Sequence, residues 1–246
     1  MKLKHIAFVF TLVMFVSCQQ QKPVLYLVGD STMANKKKLE LPERGWGQVL
    51  PEYFDTSFAI ENHAQNGRST RSFIYEGRWD SVMNKLKPGD FVIIQFGHND
   101  DKESKLTRYT THEEFKYNFT KYVKDTKSKG AFPIVATPIV RRNWVNDTLV
   151  ETHGEYPDII REVAQENNVP LIDLHLKSRA LVDSLGEEAS KAIYQHYEPG
   201  EIEALPKGKH DDTHFCEYGA NIMAKMAVEE IKAKVPELAK YLKDKK

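Results

Sequence analysis

The sequence is poor in cysteine and has no excess charge of either sign. Only two cysteines occur in 246 residues, Cys18 and Cys216, so a disulfide framework is excluded as the source of stability. Lysine plus arginine and aspartate plus glutamate number 35 each, so no overall field favours nucleic acid. We therefore expect no nucleic-acid partner, and Cys216, which follows Phe215, is expected to be an inert buried thiol.

Long apolar runs are also missing, except at the N-terminus. Residues 6–16 are almost wholly apolar and follow a basic start, but the run is too short to span a bilayer comfortably and is typical of an export signal. Val16-Ser17-Cys18 resembles a bacterial lipobox. We expect residues 1–18 to be a lipoprotein signal peptide with Cys18 lipidated, residues 19–23 to be a tether, and the protein to be membrane-anchored in a Gram-negative envelope. An ordinary signal peptide cleaved near Ser17 is the alternative.

The rest of the sequence has the composition of one globular domain. The apolar fraction of the full sequence, 41%, suffices for a sizeable core, and residues 24–246 show neither an internal repeat nor a composition break. We expect one domain, acting as a monomer.

Five strand-like runs alternate with helical stretches. The runs are 24–28, 58–64, 91–97, 133–138 and 170–174, and the clearest helices are 111–129, 156–168 and 217–234. This alternation predicts a parallel sheet covered on both faces. Residues 186–212, rich in proline and glycine, are expected to form a long functional loop.

Polar turns follow the first three strands. They are Gly29-Asp30-Ser31, Gln65-Asn66-Gly67-Arg68-Ser69 and Gly97-His98-Asn99-Asp100. Ligands of such sheets bind beyond the carboxyl ends of the strands, so these turns are expected to converge. A turn explains Gly-Asp-Ser alone, but the convergence favours Ser31 as a nucleophile.

A serine nucleophile needs a base, a group that orients the base, and donors for an oxyanion. His214 is the candidate base, and Asp211, three residues earlier, can reach its Nδ1; Asp212 is the less suitable neighbour. The backbone N–H groups of Ser31 and Gly67 and the side-chain amide of Asn99 are the candidate oxyanion donors.

These residues stand in the order of the SGNH (GDSL-type) hydrolases, which the chain resembles over about residues 24–232. The four blocks are GDST with Ser31, NGRST with Gly67, GHND with Asn99 and DDTHF with His214. The closer resemblance, through GDSTMA, Gly45-Trp46-Gly47 and DDTHFCEYGA, is to the rhamnogalacturonan acetylesterase branch. It implies a three-layer α/β/α sandwich with a flavodoxin-like, five-stranded parallel sheet, and deacetylation of pectin or another acetylated polysaccharide, without a cofactor.

Substrate contacts are predicted from residue type alone. Trp46, His98 and Arg68 are the candidates nearest the four blocks. Trp144, Arg71, Arg141 and Arg142 are further ones, because arginine suits planar carboxylates. The lysines 36–38 after the nucleophile turn suit galacturonate in the same way, but a solvated surface explains lysines and arginines equally well.

Two other functions compete with the esterase. His210 and His214 have a spacing that metal ligands use, and GHND resembles a metallophosphoesterase motif, but the order of that motif is wrong and its further ligands are missing; we expect no metal. A non-catalytic, glycan-binding lipoprotein is the second alternative. Acetylxylan is the alternative substrate.

Overall fold

The computed structural model describes residues 22–38 and 41–243. The predicted signal peptide, Cys18 and residues 19–21 of the predicted tether lie outside the described residues. Across the described ranges, no helix combines the length and the apolar character needed to cross a membrane.

The strands and helices alternate along the chain. The strands are β1 (Val24–Gly29), β2 (Glu43–Arg44), β3 (Ala59–Asn62), β4 (Phe91–Gln95), β5 (Phe132–Ala136), β6 (Trp144–Val145), β7 (Thr148–Leu149), β8 (Leu171–Ile172), β9 (Tyr194–Tyr197) and β10 (Lys209–Cys216). The α-helices are α1 (Trp46–Val49), α2 (Thr70–Tyr75), α3 (Arg78–Met83), α4 (His112–Ser128), α5 (Tyr156–Glu166), α6 (Leu174–Ser190), α7 (Glu217–Lys234) and α8 (Pro236–Ala239).

A five-stranded sheet in the order β3-β1-β4-β5-β8 divides the core in two, and all its pairings are parallel. In β1, Leu25 and Leu27 face a cluster with Trp46 and α7, whereas Tyr26 and Val28 face a cluster with α4 and α5. This period of two places apolar side chains on both faces, and helices cover both. The predicted three-layer α/β/α sandwich is confirmed.

The strand order reverses at β1. The chain passes from β1 to β3 on one side and then to β4 on the other, so the connections leave β1 and β4 in opposite directions. A crevice at the carboxyl ends of the strands forms at such a reversal. Ser31 follows β1 directly at this point.

The prediction of a loop over residues 186–212 is mostly wrong. Helix α6 continues to Ser190 across a non-helical Gly186, and β9 and β10 pair antiparallel with each other in a second sheet of order β2-β10-β9. Residues 198–208 alone in this stretch lie outside helices and strands. Pairing between polar segments, rather than apolar periodicity, forms this sheet.

The chain enters the domain at the amino edge of the central sheet. There the N–H of Val24 donates to Asp90 Oδ1 at 2.8 Å. A concavity of about 1040 Å³ lies at this edge beside Lys22, Val24, Phe91 and Phe132. It contains none of the predicted site residues, which lie at the opposite edge.

Candidate active site

The nucleophile turn is held by a buried carboxylate. Asp30 is fully buried, and its Oδ1 accepts hydrogen bonds from the backbone N–H of Thr32 at 2.9 Å and from the Thr32 hydroxyl at 2.8 Å. Burial raises the pKa of Asp30, while these bonds oppose the rise. The carboxylate thus fixes the backbone on which Ser31, only 8% exposed, is presented.

Lys36 is a buried link between the first two sequence blocks. Its Nζ donates to the Ser31 carbonyl oxygen at 2.6 Å and to Asn66 Oδ1 at 2.9 Å, and pairs with Glu43 at 2.8 Å. Burial lowers the pKa of Lys36, and Glu43 opposes this. Both interpretations of Lys36, a contact for substrate carboxylates and a solvated lysine, are wrong, because three partners occupy it.

His214 joins Ser31 to Asp211. Its Nε2 lies 2.8 Å from Ser31 Oγ, and its Nδ1 lies 2.9 Å from Asp211 Oδ2. Burial alone would raise the pKa of Asp211, but the hydrogen bonds with the His214 ring and the backbone hold it below its usual range. The contact between Asp211 and His214 was predicted from their spacing, and the contact between His214 and Ser31 from the roles of base and nucleophile; the structure shows both.

The segment from Asp211 to His214 lies within β10. The other oxygen of Asp211, Oδ1, accepts from the backbone N–H groups of Thr213 and His214 at 2.9 and 3.0 Å. The pairing of β10 with β9 shifts register between Asp211 and Phe215, so this segment is not a regular ladder. Asp212 points elsewhere: its Oδ1 lies 2.8 Å from both Arg142 Nη1 and His196 Nε2.

Gly67 and Asn99 lie on the turns after β3 and β4. Gly67 has a φ of +75°, which disfavours any residue with a Cβ. Asn99 is 3% exposed, and its Nδ2 donates to the Arg68 carbonyl oxygen at 3.0 Å. This bond ties the third turn to the second and uses one of two amide protons.

The prediction that Trp46 contacts substrate is wrong. Trp46 is fully buried, and its Nε1 donates to Gln95 Oε1 at 2.9 Å. Its neighbour Gly45 leaves no room for a side chain, since a Cβ there would lie 2.3 Å from the carbonyl oxygen of Ala34. The glycine allows the indole to pack behind the nucleophile turn, where it supports the turn instead of facing the cleft.

His98 is also buried, against the prediction of a substrate contact. It is 2% exposed, and its Nδ1 lies 3.1 Å from His153 Nε2. Burial holds the pKa of His98 well below its usual range, so the imidazole is neutral. It presents almost no surface to a ligand.

The arginines predicted from sequence are all engaged with protein groups. Arg68 pairs with Glu76, Arg71 with Glu114, Arg141 with Asp101, and Arg142 with Asp212. Arg142 is 5% exposed, so its buried side chain does not contact substrate. Arg68 alone among them lies beside Gly67 in sequence and borders a surface cavity. Trp144 begins a short hairpin of β6 and β7.

A different histidine cluster meets the geometry of a metal site. Glu151, His153 and His175 place one ligand atom each within 4.8 Å of the others, and no second group of this kind occurs in residues 22–38 and 41–243. His210 and His214, whose spacing raised the metal hypothesis, are not part of it. His214 contacts Ser31 and Asp211, whereas His210 lies against His196.

Comparison with known proteins agrees with this geometry. The model of the GDSL-like lipase/acylhydrolase family matches residues 27–220. The chain is 38% identical over 226 residues to a rhamnogalacturonan acetylesterase of Bacillus subtilis, which covers 91% of this chain and 94% of that protein. It is 27% identical over 190 residues to a rhamnogalacturonan acetylesterase of Emericella nidulans, with 69% and 74% covered.

Solved structures give the same fold. The Bacillus subtilis protein YxiM superposes with a TM-score of 0.72 at 30% identity, over 86% of this chain and 56% of that one. An acetylxylan esterase of Geobacillus stearothermophilus gives 0.63 at 19% identity, over 85% and 94%, and shows the fold alone. The family resemblance read from the four blocks is confirmed: the chain belongs to the GDSL-like lipase/acylhydrolase family.

Proposed function

We propose that this protein is a serine esterase that removes acetyl groups from acetylated rhamnogalacturonan. The observation that carries the proposal is the continuous contact from Asp211 through His214 to Ser31, at 2.9 and 2.8 Å. A nucleophile, a base and an orienting carboxylate in this order are what acyl transfer requires.

In the proposed first step, Ser31 Oγ attacks the carbonyl carbon of the acetyl ester while His214 Nε2 accepts its proton. Asp211 stabilises the resulting imidazolium and fixes its ring orientation. The negative oxygen receives hydrogen bonds from the N–H groups of Ser31 and Gly67 and from the second amide proton of Asn99. His214 then gives its proton to the departing sugar oxygen, which leaves an acetyl-serine.

The second step repeats the chemistry with water. His214 removes a proton from the water, the oxygen attacks the acetyl carbonyl carbon, and His214 returns that proton to Ser31 Oγ as acetic acid leaves, which ionises to acetate in solution. Each proton moves between His214 and an oxygen, so these residues complete the cycle by acid–base chemistry alone.

The substrate assignment is supported by the relatives. Two proteins named rhamnogalacturonan acetylesterase match over 91% and 69% of this chain, and the activity in their names fits a serine site of this geometry. The acetylxylan esterase shares the fold at 19% identity, so acetylxylan is the competing substrate.

The decisive experiment measures acetate released from acetylated rhamnogalacturonan, acetylxylan and p-nitrophenyl acetate, by wild type beside Ser31→Ala. We expect wild type to prefer rhamnogalacturonan among the polymers, and the variant to lose activity on all three. Preference for acetylxylan would refute the substrate assignment but leave the mechanism intact. Full activity of Ser31→Ala would refute the mechanism, and activity that disappears on chelation and returns with Zn²⁺ or Mn²⁺ would favour a metallophosphoesterase.

We further propose that the protein is a lipoprotein anchored through Cys18 in a Gram-negative envelope. The sequence supports this through its basic start, its short apolar run and Val16-Ser17-Cys18. Labelling cells with a fatty-acid analogue is expected to mark wild type and to spare Cys18→Ser. Equal labelling of both would refute the anchor without affecting the esterase assignment.

A further inference from the structure

The guanidinium of Arg108 lies against Gly67. A Cβ built on Gly67 would lie 3.3 Å from Cζ and from both terminal nitrogens of Arg108. These equal distances show that the flat face of the guanidinium packs against the glycine. Gly67, which is proposed to donate to the oxyanion, therefore also contacts an arginine. The absence of a side chain at Gly67 creates the space for that contact.

Arg108 differs from the four arginines singled out in the sequence. Its side chain is half-buried, yet within the described part of the chain no hydrogen bond or ion pair involves its guanidinium. A partly desolvated guanidinium gains most from a planar anion that receives two parallel N–H bonds.

A cavity of about 300 Å³ surrounds this arginine. Gly67, Arg68, Tyr75, Glu76 and Arg108 are among the residues that line it. Tyr75 ends helix α2 with its side chain 82% exposed, which is unusual for a large aromatic ring. Such a ring offers an apolar face and a polar hydroxyl to an amphipathic ligand. The charge of Glu76 is balanced, because Arg68 and Arg78 both pair with it.

A second positive charge lies beside Asn99. Lys102 Nζ lies 3.5 Å from Asn99 Oδ1. Burial lowers the pKa of Lys102, and the positive charges of Arg141 and Arg108 add to this. Arg108 and Lys102 therefore belong to one electropositive stretch that borders both Gly67 and Asn99.

We propose that this cavity is the subsite for a uronic acid unit of the substrate, with the carboxylate paired to Arg108 and the sugar ring stacked on Tyr75. The inference rests on the proposed esterase function, since it places the uronate beside the ester that Ser31 cleaves. It adds a specificity: the enzyme selects acetylated sugars that carry a carboxylate over neutral ones.

The test uses two small esters that differ only in the carboxylate, the methyl glycosides of 3-O-acetylgalacturonic acid and 3-O-acetylgalactose, with p-nitrophenyl acetate as a neutral reporter. Wild type is expected to prefer the uronate. Arg108→Gln is expected to lower kcat/KM for the uronate by about 10- to 100-fold, mainly through KM, and to lower it far less for the two neutral esters. Arg108→Lys keeps the positive charge but not the two parallel N–H donors. Its kcat/KM for the uronate is expected to lie between those of wild type and Arg108→Gln.

Lys105→Gln is the matched control, because it removes the same charge from the same exposed loop and is expected to change nothing. Tyr75→Ala is expected to weaken both sugar esters and to spare p-nitrophenyl acetate. The uronate preference is expected to shrink as salt rises. Equal losses on all three esters in Arg108→Gln, or no uronate preference in wild type, would overturn the proposal.

One further measurement keeps the test decisive. Free galacturonate is expected to inhibit p-nitrophenyl acetate hydrolysis by wild type competitively, and more strongly than galactose does. This measurement uses wild type alone, so it does not depend on the folding of a variant. Equal inhibition by the two sugars would contradict the subsite. Failure of the esterase assignment is recognised separately, because wild type would then release no acetate from any ester.

Discussion

The two sides of the candidate active site are built in different ways. The nucleophile side, with Ser31, rests on the central parallel sheet and on buried polar groups such as Asp30 and Lys36. The base side lies in β10, outside that sheet, where the side chains of Asp211 and His214 are 21% and 27% exposed. The first side is fixed by packing, and the second by a few local hydrogen bonds.

This difference suits the chemistry that each side performs. Oxyanion donors work best when they cannot reorganise, since their benefit comes from being in place before charge develops. The base must gain and lose a proton twice in each cycle, and a partly exposed position with its own carboxylate allows this. Substitutions on the base side should therefore change rate with little loss of stability, whereas buried links on the nucleophile side should change stability.

Removing either reacting group is the largest expected effect. Ser31→Ala and His214→Ala should each lower kcat for p-nitrophenyl acetate by about 10⁴-fold or more, because neither the nucleophile nor the base can be replaced. Circular dichroism and thermal unfolding should match wild type. A Ser31→Ala enzyme with appreciable turnover, or a His214→Ala protein that fails to fold, would contradict the assigned division of roles.

The adjacent aspartates provide a matched pair on the base side. Asp211→Asn should lower kcat by about 10³- to 10⁴-fold through loss of ring orientation, whereas Asp212→Asn should stay within a few-fold of wild type because Asp212 contacts Arg142. In wild type, Asp211 stays ionised as pH falls, since its pKa lies below the usual range. The Asp211 carboxyl is therefore expected to add no step of its own to the acid limb of the pH–rate profile. Similar losses in the two variants would show that the pair is misassigned.

Asn99→Ala tests the oxyanion donors on the nucleophile side. We expect kcat to fall by about 10²- to 10³-fold, the loss typical of one missing donor, with KM changed less. The amide also supports the Arg68 carbonyl, so the variant should lose about 1 kcal/mol of unfolding free energy as well. Steady-state kinetics and chemical denaturation measure both quantities. An unchanged kcat with lower stability would make Asn99 a structural residue only.

Lys36→Met examines the buried link itself and should have the smallest effect on catalysis, less than about tenfold. It should lower the unfolding free energy by about 2–3 kcal/mol at pH 7, because Glu43 loses its nearest partner. Burial alone would raise the pKa of Glu43, but Lys36 and Gln195 hold it at about 2.

The pH dependence of that difference has a defined sign. A carboxyl whose pKa is depressed by folding contributes stability above its unfolded value of about 4.5, and loses it as pH falls toward 2. The stability gap between wild type and Lys36→Met should therefore be widest at pH 7 and narrow below about pH 4.5. Denaturation at pH 7, 4 and 3 measures it, with Lys37→Met as the exposed control. A gap that widens on acidification would contradict the ion pair.

The sequence predicted the parts of the molecule that depend on local signals. Helix α7 begins and ends at the predicted residues 217 and 234, and α4 begins within one residue of the predicted position 111, where Thr111 caps it by accepting from Glu114 N–H. The central strands are apolar runs long enough to recognise. The contact between Asp211 and His214 could be anticipated because a carboxylate three residues before a histidine reaches its ring within one turn. The meeting of the polar turns that follow the strands could be anticipated because strand ends converge at one edge of the sheet.

What the sequence did not reveal depends on partners far along the chain. Polar β10 becomes a strand only through β9 and β2, so it resembles a loop. Lys36 lies in a run of three lysines, and nothing in that run marks the buried one. Cys216 is half-buried rather than buried, and its Sγ caps α7 by accepting from Gly219 N–H. Arg108 belongs to no motif and became visible only as a neighbour of Gly67.

The direction of β1 sets how the enzyme can meet a large substrate. Val24 lies at the amino end of β1 and Gly29 at its carboxyl end, and six extended residues span about 20 Å. Whatever precedes Lys22 therefore joins the domain on the side away from Ser31. If that segment holds the protein to a surface, the cleft faces outward, and a branched polymer can reach it without entering the gap beneath the domain.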